Sequence, residues 1–285
     1  MKKIFFLSLA ALLTFAACSK NNTTPDPQDD NTVTWKGVTY KTVKLKDGNT
    51  WFAENLRYVP EGITPSNDLE NVTAGVYYPV VINSEQSAAE FSTDPDVIKE
   101  RGYLYQAEVA LGLKVGALTS VDQAKALKGA QGLCPDGWHI PTGDDIIGLV
   151  GKSAAYDNTS YSGVNEDAPY YDKAAANGSI VLLNKDGFNM DAFGAVSIQN
   201  NTNTSGSFLG YIKAYNTKIS SGMFCGSTYA GVTYNTNNDE TSGVKNLQFY
   251  GFMPMTNKAT EAEYTCNGTK VSYRIACPIR CVKNK

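Results

Sequence analysis

Residues 38–56 read VTYKTVKLKDGNTWFAENL. Val38 and Tyr40 alternate with polar neighbours, as do Val43 and Leu45, and a one-residue slip separates the two pairs. Period-two alternation predicts a strand. Asp47-Gly48 supplies a hairpin turn, and Trp51-Phe52 opens the return strand. Over residues 103–112, YLYQAEVALG, the positions of Leu104, Ala107, Val109 and Leu111 suit a helix that Gly112 would end. A second helix is predicted after Thr142. That residue precedes Asp145 by three, a capping-box pattern with Asp in place of Glu, and Ile146, Ile147, Leu149 and Val150 follow. Elsewhere helical periodicity is rare. The pattern predicts an α+β fold of short antiparallel strands, two or three helices and long polar loops.

The ends of the pattern differ from its middle. Lys2 and Lys3 precede an apolar run from Ile4 to Leu13, and Ala16-Ala17 precede Cys18. This is the pattern of a secretory signal over residues 1–17, too short for a stable membrane span. Small residues directly before a cysteine resemble a bacterial lipobox, which implies cleavage before Cys18 and its acylation. Residues 18–32 then form a flexible tether, since SKNNTTPDPQDDNT offers no large apolar side chain for packing. Residues 33–285 are expected to form one domain. Loop-rich insertions fall near 59–100 and 153–187, and 196–245 is the most polar tract.

Charge narrows the partners. The chain carries a net −3, and removal of two lysines with residues 1–17 makes it −5. An acidic body argues against nucleic acid, whose phosphates need a basic face. Six cysteines are present. If Cys18 carries lipid, five remain for an oxidising compartment, and an odd count leaves one thiol unpaired.

Five phrases then line up in order with one family. VTYKTVKLKDGNTWFAENL resembles the opening strand pair of the Fibrobacter succinogenes major paralogous domain, and GYLYQAEVA its next segment. QGLCPDGWHIPT, residues 131–142, resembles its most recognisable phrase. FLGYIKAYNTKISSGMFCGSTY looks like its glycine-rich approach to a tryptophan–serine–serine–threonine strand, with Cys225 and Gly226 in place of the first two. RIACPIRCVKN looks like its closing strand. The resemblance implies an exported, often lipid-anchored protein of Bacteroidota-type bacteria, with a C-type-lectin-like fold and no defined activity. It also implies a long-range disulfide between Cys134 and Cys281. Of the other cysteines, Cys266 and Cys277 flank Asn267-Gly268, a hairpin-turn pair, and are expected to bridge and leave Cys225 free; Cys225–Cys266 is the alternative.

QGLCPDGWHIPT also holds the conspicuous chemistry, Cys134 and the chain's single histidine, His139. A nucleophile–base pair needs a free thiolate, and a disulfide at Cys134 removes it. His139 then reads as a residue that holds a turn through its two ring nitrogens. Zinc would need three or four ligands, and one histidine beside paired cysteines does not supply them. Calcium would draw on the oxygen-rich run Asn237, Asn238, Asp239 and Glu240, although the glutamate–proline–asparagine phrase of calcium-dependent lectins is absent. No catalytic residues and no cofactor are assigned. Recognition remains, with Tyr229, Tyr234, Asn237, Asn238 and Asp239 as candidate ligand contacts. The chain reads as a non-catalytic binding protein for a glycan or a protein, held to the outer membrane by lipid and facing the periplasm or the cell surface. The alternatives are a structural subunit of a surface assembly and an enzyme acting on envelope polymers.

Overall fold

The computed structural model describes residues 31–82, 88–151, 167–172, 179–180, 185–188, 190, 193–197, 207–209, 224–234, 245–256 and 264–285. The expected signal segment, Cys18 and nearly all of the tether lie outside these. In chain order the elements are β1 (Thr32–Trp35), β2 (Val38–Lys44), β3 (Thr50–Phe52), β4 (Val76–Tyr77), β5 (Val80–Ile82), β6 (Ala89–Phe91), α1 (Pro95–Arg101), β7 (Leu104–Tyr105), α2 (Ala107–Ala110), α3 (Val121–Ala126), β8 (Trp138–His139) and α4 (Gly143–Val150). There follow β9 (Tyr171–Asp172), β10 (Ser179–Ile180), β11 (Ala195–Ser197), β12 (Ser207–Leu209), β13 (Phe224–Tyr234), β14 (Lys245–Thr256), β15 (Tyr264–Ser272), β16 (Ile275–Ala276) and β17 (Val282–Lys283). The fold is α+β, and the named strands pair antiparallel throughout.

The first hairpin forms as the pattern predicts, with Val43 opposite Trp51 and Gly48 in the left-handed turn conformation. The slip in its alternation has a structural meaning. Successive side chains on a strand point to opposite faces. Tyr40 and Phe52 enter one core cluster, while Val43, Leu45 and Trp51 enter another on the other side. The sheet is therefore buried on both faces here. Trp51 and Phe52 are fully buried, and each such burial stabilises by roughly 2–3 kcal/mol. Phe52 also stacks on Tyr40 at 4.8 Å and meets Trp138 edge-on at 4.9 Å. The closing strand β17 inserts between β3 and β8, giving the order β1-β2-β3-β17-β8.

Three expectations change. Residues 103–112 are not one helix, because β7 pairs with β4 through Val76–Tyr105 and Tyr77–Leu104 before the short α2 begins. Long-range pairing takes Leu104 and Tyr105 away from the helix. The stretch 59–100 carries β4 to β6 and α1, the latter started by the Asp94 side chain and Pro95. With α3, capped by Ser120 and Gln123, the described residues hold four α-helices rather than two or three. The predicted helix after Thr142 is α4, and both arms of its Thr142–Asp145 capping box are present.

The third change concerns sulfur. Cys134 and Cys281 are bonded, with Cα atoms 5.8 Å apart across a separation of 147 residues. The expected Cys266–Cys277 bridge is not formed, since Cys277 is a buried free thiol, as is Cys225. Asn267-Gly268 makes no turn: it lies inside β15, with Asn267 opposite Met253 and Gly268 opposite Phe252.

Candidate functional site

QGLCPDGWHIPT is packed into the middle of the domain. Cys134 is buried in its disulfide, and Trp138 joins the core at 6% exposure. The turn between them closes where the Trp138 amide donates to Pro135 O at 3.0 Å, with Gly137 left-handed. Strand β13 locks onto this phrase from outside. The Ser227 hydroxyl accepts from the Gly129 amide at 2.9 Å and donates to Ile140 O at 2.9 Å, and Thr228 Oγ1 accepts from the Gly143 amide at 2.8 Å. Gly226 allows this approach. A Cβ there would lie 2.5 Å from Tyr250 O and 2.6 Å from Pro141 O. The sequence signal for Ser227 and Thr228 was present in the serine–threonine end of their phrase.

His139 sits at the centre of a hydrogen-bonded chain. Its Nδ1 is 2.6 Å from Asn284 Oδ1, and its Nε2 is 3.0 Å from Asp145 Oδ2. Asp145 Oδ2 also accepts from the Thr142 amide at 2.8 Å and from Thr142 Oγ1 at 2.5 Å, while Asn49 Nδ2 donates to Asp145 Oδ1 at 3.2 Å. Asn49 and Trp51 donate in turn to Asp47 Oδ2, both at 3.0 Å. Burial opposes charge on His139, but its bonds to Asp145 and Asn284 outweigh burial and raise its pKa. Burial likewise pushes the Asp145 carboxyl up, yet His139 and Thr142 hold it below the usual carboxylate range. Burial raises the Asp47 carboxyl against the pull of Trp51 and Asn49. Every donor and acceptor of the His139 ring is engaged within the protein, so the arrangement ties β8, α4, the hairpin turn and the C-terminal residues together.

An open groove of about 630 Å³ lies elsewhere, between residues 60–64 and 71–74 on one side and 109–115 on the other. Its apolar floor is Ile63, Val109, Leu113, Val115 and Leu133, all buried or half-buried. Exposed Glu61, Asn71, Thr73 and Lys114 rim it. No described lining residue is aromatic. Both walls are anchored from behind. The buried Glu108 carboxylate accepts from the Gly116 amide at 3.0 Å and the Leu118 amide at 2.8 Å, which fixes the 112–118 loop. Tyr105 Oη donates to Leu56 O and Tyr58 O, and Gln106 Nε2 donates to Val72 O. None of these roles was read from the sequence. The available signal was a charge, Glu108, inside an apolar run.

The residues expected to contact ligand are placed unevenly. Tyr229 lies on β13, half-buried against the core, with Lys125 Nζ 5.9 Å from its ring centroid. Tyr234 ends β13 opposite Lys245. The Tyr234 side chain, Asn237, Asn238 and Asp239 lie outside the described residues, as does the Cys266 side chain. Among the described residues no group of three or more His, Cys, Asp or Glu is placed to hold a metal ion, and no helix is long and apolar enough to cross a membrane.

These features define a disulfide-stapled, antiparallel α+β domain with one internal polar network and an open groove. The family model described as the Fibrobacter succinogenes major domain matches residues 46–283, and the chain belongs to that family. No curated protein and no solved structure matches it.

Proposed function

We propose that the chain is an exported, lipid-anchored envelope protein whose domain binds a partner without catalysis, and that the partner is an extended protein segment. The N-terminal pattern, Cys18 and the polar tether support the location, with the domain at the outer membrane, facing the periplasm or the cell surface. The C-type-lectin-like reading of the α+β fold rests on the phrase resemblance.

The groove carries the binding reading. Its volume falls within the range of small-ligand sites, and its apolar floor with a polar rim matches the anatomy of a recognition patch. Sugar rings are held by stacking on aromatic faces, which the described walls do not offer, so protein is preferred to glycan. Binding of the full chain to a displayed peptide library and to a glycan array tests this, alongside Val115→Trp and Lys114→Glu. Peptide ligands are expected, with at least tenfold weaker binding in both variants at unchanged melting temperature. Glycan hits alone, blank screens, or binding indifferent to both substitutions would overturn it.

A further inference from the structure

Resting on the groove as a peptide site, we infer that its occupant is a polyproline II segment with a threefold side-chain pattern: an apolar residue, proline above all, followed by one basic and one acidic residue. The groove presents three surfaces. Its floor is apolar, and each wall carries one exposed charge, Glu61 on the first and Lys114 on the second. These are the charged groups among its described lining residues, and neither is ion-paired with another described residue.

A β-strand turns its side chains in two opposite directions, so it does not serve a floor and two walls at once. Polyproline II has three residues per turn and turns its side chains in three directions. It makes no internal hydrogen bonds and needs no sheet edge. No strand lines the groove: Val109 belongs to α2, and the other lining residues lie outside the helices and strands. Strand addition to a sheet edge is therefore not the binding mode here. The outward carbonyls of the segment need donors instead. Asn71, exposed at the rim, accepts from Thr73 Oγ1 at 3.4 Å through Oδ1, and its Nδ2 has no acceptor among the described residues. Both walls are fixed from behind, and a polyproline II segment is already extended when free, so little ordering opposes binding.

Charge sets the identities of the remaining side chains. With the apolar residue on the floor, the next two face opposite walls. A basic side chain meets Glu61, and an acidic one meets Lys114. Turning the segment end for end keeps the floor contact and exchanges the two sides. The same segment therefore also fits a groove whose two wall charges have been exchanged.

Two labelled peptides of equal composition test this on the full chain in detergent, by fluorescence anisotropy. One is four repeats of proline–lysine–glutamate, and the other holds the same residues in three blocks. The repeat is expected to bind about tenfold more tightly at low salt, with the difference shrinking as salt screens the rim. Glu61→Lys or Lys114→Glu alone should weaken the repeat about tenfold, because both walls then carry one sign. The double variant Glu61→Lys/Lys114→Glu should restore it. Equal affinity for the two peptides in the wild type, or no recovery in the double variant, would overturn the inference. Library peptides whose binding is lost in Val115→Trp but which lack the threefold pattern would overturn it too, while leaving the groove as a peptide site. A chain that binds no peptide overturns both.

Discussion

At the residue scale, His139 is held between two acceptors, Asp145 Oδ2 and Asn284 Oδ1. Only the protonated ring donates to both. A raised His139 pKa stabilises the fold fully below the unfolded value of about 6.5 and ceases to do so as pH rises through the folded value. A lowered Asp145 pKa contributes above its unfolded value, about 3.9, and is lost as pH falls through the folded one. The pair therefore contributes most between about pH 4 and 6.5. His139 is the chain's single histidine, so it dominates linkage between pH 6 and 8. The urea midpoint is expected to fall from pH 5.5 to pH 8.5 in the wild type and to flatten in His139→Asn. A slope that survives the substitution assigns the linkage elsewhere. Asp145→Ala removes the charged acceptor and the capping box together and should cost roughly 2 kcal/mol at pH 5.5.

At the element scale, the groove wall depends on a single side chain behind it. Glu108 is buried on the four-residue α2 and holds the loop to Leu118 by two backbone amides. Glu108→Ala leaves the buried Leu118 amide without its acceptor, a loss of about 1–3 kcal/mol. Faster hydrogen exchange at Leu118 and weaker ligand binding should appear together. Protection unchanged at Leu118 would show that the loop is fixed by other contacts. The same scale shows why some elements were legible and others were not. The 38–56 hairpin and the Thr142 cap are local, so turn chemistry and spacing reveal them. The strand at Leu104-Tyr105 depends on Val76 and Tyr77, which no local pattern indicates. Asn267-Gly268 has hairpin chemistry, but pairing of β15 with β14 keeps it extended.

At the scale of the whole molecule, the last strand lies between β3 and β8, and the Cys134–Cys281 bond fastens it to the middle of the chain. For a separation of 147 residues, the chain-entropy relation gives on the order of 5 kcal/mol for this crosslink. Cys281→Ala should lower the guanidinium midpoint well below that of the oxidised wild type, as followed by far-ultraviolet circular dichroism. Equal midpoints for oxidised wild type and variant would mean that strand insertion alone holds the closure.

The sequence by itself determined the family, the α+β class, the hairpin, the capped helix and, through resemblance, the long disulfide. These follow from spacing, turn chemistry and ordered phrases, all of which are properties of the chain as written. Tertiary structure decided the burial of Cys225 and Cys277 as free thiols, the acceptors on both sides of His139 and the groove between 60–74 and 109–115. Those depend on which distant segments the two-faced sheet and the buried core bring within a few ångströms of each other, and burial then sets the charge and reactivity of the groups enclosed.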